Sequence, residues 1–202
     1  MSVSNAKNHK PLIIGLTGGL ASGKSTATAY LKSKGFFVID SDHIVKKLYQ
    51  TEKEMLKQIK NAFNIEIKTK ADKKALAKIV FNDQNQREKL NQIVHPYVFD
   101  RINEQLKQME QAQIIFIDMP LLFEVKYESK CDHTMLIYCS EALQIKRLMT
   151  RERIDIKEAT KRVQTQMPIE IKKEKADIIV DNQHSFDYLY QQLDQVLGAF
   201  IT

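Results

Sequence analysis

The stretch Gly15-Leu16-Thr17-Gly18-Gly19-Leu20-Ala21-Ser22-Gly23-Lys24-Ser25-Thr26 stands behind a short apolar run, residues 11–14. Three of the chain's six glycines fall between positions 18 and 23, and a lysine and two hydroxyl side chains follow at once. Glycine lets the backbone take positive φ and approach a bulky anion closely. The N–H groups of such a loop converge into an anion-binding nest. A helix that starts there adds its unpaired N–H groups and the positive end of its dipole. Lys24 is then placed to reach the outer phosphates and Ser25 to ligate Mg²⁺, with Thr26 beside it. Residues 18–25 fit G-x-x-x-x-G-K-[ST], the phosphate-binding or P-loop pattern, in full. The plainer reading is a glycine-rich turn before a helix. With glycine near 7% of residues, the whole pattern arises by chance in about one per cent of chains this long. The expected ligand is a nucleoside triphosphate; the loop alone leaves the fate of the γ-phosphate open.

Around this loop the pattern predicts a buried strand over 12–16 and a helix over 24–34, stopped by Gly35. A second apolar strand, 36–39, runs into Asp40-Ser41-Asp42. Strand, helix, strand in so short a span is a βαβ unit and implies a parallel sheet. From about 43 to 109 helical patterns dominate, with a break expected at His95-Pro96, because the residue before proline is pushed out of the helical region. Further strands are expected at 114–117, 134–138 and 178–180. A charged helical stretch over 141–175, interrupted by Pro168, and a closing helix over 186–200 complete the chain. The expected fold class is α/β: a P-loop-type, doubly wound, five-stranded parallel sheet with a helical insertion after strand two and a basic helical segment after strand four.

The chain has 202 residues, 43% hydrophobic and 28% charged, with a formal net charge of +6. That length buries a real core in one globular unit with lobes. The positive balance admits anionic ligands without choosing among them. Cys131 and Cys139, the only cysteines, form neither a zinc set nor a disulfide framework, and read as reduced structural thiols of a cytoplasmic protein. No stretch approaches the length of a membrane span.

Beside the loop, candidate chemistry gathers in three places. Asp40 and Asp42 follow strand two, and ligands of open α/β sheets bind at the carboxyl ends of strands. A carboxylate there could orient an attacking hydroxyl or accept its proton; the plainer role is that Ser41 or Asp42 caps the next helix. Between 144 and 175 lie ten basic and five acidic residues, so this one segment carries +5 of the chain's +6. Arg147 and Arg151 are i, i+4 neighbours on one helix face, and so are Arg162 and Gln166. An arginine-bearing segment over a P-loop suits a kinase lid that neutralises the transferring phosphoryl group and excludes water; a solvated charged helix pair is the plainer account. His95, a lone histidine beside proline, reads on composition as a structural hydrogen-bonding residue.

Taken in order, the stretches 15–26, 36–48, 79–98, 117–124, 144–151, 162–167 and 175–185 resemble the dephospho-CoA kinases, and they cover most of the chain. The P-loop is common to many kinases; the Asp40-Ser41-Asp42, His95-Pro96 and Pro120-Leu121-Leu122-Phe123-Glu124 stretches together are far more specific. The resemblance implies a nucleotide-binding core (1–42, 114–140 and 176–202), a helical acceptor domain (43–113) and a lid (141–175). It implies Asp42 as base toward the ribose 3′-hydroxyl of dephospho-CoA and Lys24 bridging the phosphates. Arg147 or Arg151 would stabilise the transition state. ATP would be held by Gly18, Ala21, Ser22, Gly23, Lys24, Ser25, Thr26, Arg147 and Asn182, with Mg²⁺ on Ser25. His95, Pro120, Leu121, Leu122, Glu124, Arg162 and Gln166 would join Asp42 around the acceptor. Ala21 departs from the family's frequent glycine, and Arg151-Glu152-Arg153 from its usual Arg-Asp pairing. The partners expected are small molecules, with no nucleic acid and no membrane, acting on a monomer or weak oligomer. Two other readings stand beside this one: a nucleoside or nucleotide kinase on the same core, and a P-loop switch or nucleic-acid binder, against which the basic segment lacks interleaved aromatics.

Overall fold

The computed structural model describes residues 10–201. They form two compact units. One comprises the described residues up to Ile39 together with those from Met109 onward; the other is Asp40–Gln108.

The first unit is built on a five-stranded sheet: β1 (Leu12–Gly18), β2 (Phe37–Asp40), β3 (Ile114–Asp118), β4 (His133–Tyr138) and β5 (Ile178–Asp181), in the order β2-β3-β1-β4-β5. β1 runs parallel to β3 and to β4, and β4 to β5. β1 and β3 are apolar almost throughout because a central parallel strand is covered on both faces. On one face Ile14, Leu16, Phe116, Ile137 and Val180 meet α1 (Lys24–Ser33) and α9 (Phe186–Ile201) through Ala27, Leu31, Leu189 and Leu193. On the other, Leu136 and Tyr138 meet Ile169 of α8 (Ile169–Lys175). The connection from β1 leads to β2 on one side and that from β3 leads to β4 on the other. The boundary between β1 and β3 is therefore the topological switch point, where open α/β sheets bind their ligands.

The basic stretch expected as one helical segment broken at Pro168 is three helices: α6 (Glu141–Glu152), α7 (Ile156–Val163) and α8. Arg153, in the left-handed conformation (φ 55°), ends α6, and Asp155 caps α7 by accepting a bond from the Glu158 N–H at 2.8 Å. Because α7 stops at Val163, Arg162 and Gln166 do not share a helix face: Gln166 lies in the following turn, its N–H bonded to the Val163 carbonyl.

The second unit holds four helices, α2 (Ser41–Thr51), α3 (Lys53–Phe63), α4 (Lys70–Asn82) and α5 (Gln84–Gln108), around Ile44, Leu48, Met55, Ile59, Leu76, Val94, Val98 and Ile102. α5 runs unbroken through Pro96, against the break expected at His95-Pro96. Proline inside a helix removes one backbone bond and costs about 3 kcal/mol. Here Val94, Val98 and Ile102 continue one buried stripe across it, and Pro96 itself faces solvent, so packing on both sides offsets the local penalty. The cap of α2 also differs from expectation. Asp40, not Ser41 or Asp42, is the N-cap, accepting a bond from the His43 N–H at 2.9 Å. Strand β2 ends at Asp40, so Asp42 belongs to the first helical turn and does not share a strand face with Asp40.

Candidate active site

The loop after β1 turns on a bond from the Ser22 N–H to the Gly19 carbonyl at 3.0 Å. Two of its residues are left-handed, Ala21 at φ 60° and Gly23 at φ 92°. The second needs glycine for the usual steric reason; the first explains why a methyl is tolerated but not favoured there. Gly23 is the N-cap of α1, which has neither a side-chain cap nor an acid in its first turn. The helix start thus presents its N–H groups and dipole to a ligand rather than to its own side chains. Ser25 is exposed there, and Thr26 half-buried.

Lys24 reaches across to the end of β3, where its ammonium pairs with one oxygen of Asp118. The other oxygen accepts the Thr28 hydroxyl at 2.6 Å. Asp118 is buried, and its Cα is the lateral partner of Leu16 in the sheet, so the carboxylate stands on the α1 face of the switch point. Neither Asp118 nor Thr28 was among the residues expected at the site. The available signal was an apolar run, Ile114 to Ile117, ending in an acid at the carboxyl edge of a strand.

Three side chains brace the loop from the β4–β5 side. Asn182, 1% exposed, donates its amide to the Ser22 carbonyl at 2.7 Å. Arg147 donates to the Asn182 carbonyl at 2.9 Å and to that of Ser22 at 3.5 Å. Gln144 is equally buried and donates to the Cys139 carbonyl at 3.0 Å, with its amide so near Gly19 that a methyl there would meet Gln144 Oε1 at 2.2 Å. Gln144 is a third residue that sequence reasoning passed over. Asn182, expected to hold ATP, commits its side-chain amide to the loop itself.

The lid arginines divide by surroundings. Arg147 is half-buried against the loop, whereas Arg151 is exposed and paired with Glu152 at 2.7 Å. Arg162 also pairs with Glu152, and with Glu158 at 2.8 Å. Such exposed pairs hold little energy and exchange readily for another anion. Beyond β3, Pro120 offers its carbonyl to Thr17 at 3.1 Å, and Leu121 is half-buried. Leu122 is fully buried, so its side chain belongs to the core. Glu124 accepts the Met167 N–H at 2.9 Å, and a hollow lined by Gly19, Gln144, Gln166 and Met167 opens beside the loop.

Asp42 and His95 lie in the helical unit. Asp42 is exposed in the first turn of α2. His95 sits mid-way along α5, stacked on Phe99 with ring centroids 5.7 Å apart, and burial holds its pKa below the ordinary value. Burial raises the pKa of both thiols, that of Cys131 to about 12. Cys131 should therefore react with a thiol reagent at pH 8 at least about tenfold more slowly than a free thiol. Time-resolved labelling checks this, and rapid modification would show that the thiol is not buried as described.

A phosphate nest at the switch point of a parallel sheet, with its lysine held by a strand-end carboxylate and arginines on the next helices, defines a P-loop kinase. The model of one such family, dephospho-CoA kinase, matches residues 12–187. The chain is 39% identical over 191 residues to a dephospho-CoA kinase of Oceanobacillus iheyensis, spanning 92% of this chain and 96% of that one. It is 38% identical to that of Arabidopsis thaliana, over 92% and 82% of the two chains. A solved dephospho-CoA kinase from Campylobacter jejuni superposes with a TM-score of 0.66 at 30% identity, over 92% of this chain and 95% of that one. A solved protein from Thermus thermophilus superposes at 0.81 and 33%, over 94% and 98%. The chain belongs to the dephospho-CoA kinase family.

Proposed function

We propose that this chain transfers the γ-phosphoryl group of ATP to the ribose 3′-hydroxyl of dephospho-CoA, giving coenzyme A and ADP. The observation that carries this reading is the reach of the family match. It spans 12–187, and so includes the whole helical unit Asp40–Gln108 as well as the nucleotide-binding half that many kinases share.

In this reading the residues 18–26 hold the triphosphate, with Lys24 on the outer phosphates and Arg147 at the nucleotide. The bond from O3′ to Pγ forms as the bond from Pγ to the β–γ bridging oxygen breaks, in line, and ADP leaves. Asp42 takes the proton of the 3′-hydroxyl. Arg151, exposed and held only by a surface carboxylate, turns from Glu152 to the transferring phosphoryl group. Asp42, His95, Pro120, Leu121, Leu122, Glu124, Arg162 and Gln166 form the acceptor surroundings, with 43–113 as the acceptor domain and 141–175 as the lid; of these, Leu122 contributes packing. Among the described residues no group of three or more histidine, cysteine or acidic side chains could hold a metal alone. A site with one exposed hydroxyl, Ser25, suits Mg²⁺, which keeps phosphate oxygens and water as most of its shell. When bound, Mg²⁺ neutralises phosphate charge. The reading also takes the protein as a cytoplasmic monomer or weak oligomer acting on small molecules; no described helix is long and apolar enough to cross a membrane.

A turnover assay with Mg-ATP and dephospho-CoA, following ADP and CoA together, tests this directly. Equal yields support it; ADP without CoA overturns the acceptor. Asp42→Asn should lower kcat by about a hundredfold or more, the usual contribution of a positioned general base, while ATP affinity stays within about threefold. Near-normal turnover in that variant would remove Asp42 from the base role.

A further inference from the structure

Lys172, on α8, is fully buried. An ammonium taken out of water is costly unless it is paired and hydrogen-bonded. Here the Nζ atom donates to the Pro120 carbonyl at 2.7 Å and to Glu124 Oε1 at 2.9 Å. The same Glu124 oxygen accepts the Met167 N–H, and the same Pro120 carbonyl accepts the Thr17 hydroxyl. One side chain thus joins three segments: α8 with the turn before it, the loop after β3, and the last residues of β1 before the phosphate loop. Two residues ahead of Pro120 stands Asp118, which holds Lys24 and Thr28. The Met119 N–H bonds to the Leu16 carbonyl at 2.9 Å, so the chain leaving Asp118 is fixed on β1 as well. Burial lowers the Lys172 pKa, Glu124 raises it, and the Lys24 charge is close enough to lower it further.

Two cation–carboxylate couples therefore stand near each other behind the phosphate loop, Lys24 with Asp118 and Lys172 with Glu124. The first faces the ligand. In the second the ammonium is fully buried while Glu124 stays partly exposed, and the ammonium bonds to the backbone and carboxylate that follow β3. A helix that merely needed to pack on β4 would use an apolar side chain at this position, as Ile169 does three residues earlier. The polar contacts of α8 bear this out: Glu170 accepts the Tyr138 hydroxyl at 2.7 Å, and Lys173 lies over the Tyr138 ring.

We propose that Lys172 is a positioning residue for phosphoryl transfer: its buried ammonium fixes the Met119–Glu124 loop against β1 and thereby sets where Asp118 holds Lys24. It follows that α8 is the anchored end of the 141–175 segment, and that any lid movement there lies ahead of it. The kinetic part of this inference rests on the proposed reaction; the positional part does not.

Lys172→Met keeps the length of the side chain and removes the charge. Hydrogen exchange in peptides covering 117–125 and 16–24 should then quicken by about tenfold, while the β4 and α9 peptides hold their rates. With both substrates saturating, kcat should fall by about tenfold or more, with ATP affinity within about threefold, since misplacement of a reacting group costs turnover more than binding. Unchanged exchange with kcat within threefold of the parent overturns the proposal. So does a loss of kcat and ATP affinity in equal proportion to a lowered melting temperature, which is the signature of general destabilisation. If Lys172→Met does not fold, the double variant with Glu124→Gln removes the orphaned charge. Fast exchange at 117–125 in that protein sustains the proposal and parental exchange overturns it. Should the parent enzyme form no CoA, the acceptor reading fails, and the exchange measurements still decide the positional role.

Discussion

Asp118→Asn should lower kcat/KM for both substrates by about two to three orders of magnitude, the usual cost of losing one preorganised charge partner at a phosphoryl-transfer site. The carboxylate is 4% exposed and uses both oxygens, one on the Lys24 ammonium and the other on the Thr28 hydroxyl. An asparagine of the same shape has one acceptor oxygen and an NH₂ group that can only donate. The Thr28 hydroxyl can turn to accept from that NH₂, but Lys24 loses its counter-charge. Lys24 would still stand beside the loop and could still attract ATP, so the loss should fall on kcat more than on nucleotide affinity. Steady-state kinetics paired with an ATP titration separates the two. Turnover within threefold of the parent would mean that Lys24 is positioned by the loop alone.

Gly23→Ala should weaken ATP binding by at least tenfold and destabilise the fold by about 2–3 kcal/mol, combining left-handed strain with the loss of a buried hydrogen bond. At φ 92° a side chain is strained in any case, and the added methyl would meet the Asn182 amide nitrogen at 1.9 Å. That nitrogen is the donor to the Ser22 carbonyl, so the brace must give way before the methyl can fit. Gly35→Ala is the internal control. Gly35 has a similar φ of 88°, yet nothing lies within 4 Å of the added atom. It should cost about 1 kcal/mol of backbone strain and leave ATP affinity unchanged. Melting curves and nucleotide titrations of the two variants, side by side, test whether contact with Asn182 makes the difference. Equal effects would place the whole cost in the backbone.

Much of the core was legible because its signals are local. An apolar run of three to five residues, a glycine loop and a helix start can each be read within a dozen positions, and all five strands fall within a residue or two of where the pattern puts them. What escaped is non-local. Asp118 gains its meaning from Lys24, 94 positions away, and Asn182 from Ser22, 160 positions away. Nothing in the neighbourhood of either residue announces the partner. Lys172 reads as one of many lysines in a basic segment until α8 is folded onto β4. Pro96 failed in the opposite direction: a local rule predicted a break, and the buried stripe from Val94 to Ile102 overrode it. Arg162 and Gln166 show the same limit, since helical spacing relates them only if the helix continues, and it ends between them.

The distance in sequence between Ser22 and Asn182 also orders events during synthesis. The phosphate loop leaves the ribosome before every residue that braces it. Asp118 emerges 94 positions after Lys24, and the amide that closes on Ser22 emerges 160 positions after it. A nascent chain therefore carries the whole motif long before the braces around it can form, and the last of these arrives with the segment that also lays β5 on the edge of the sheet.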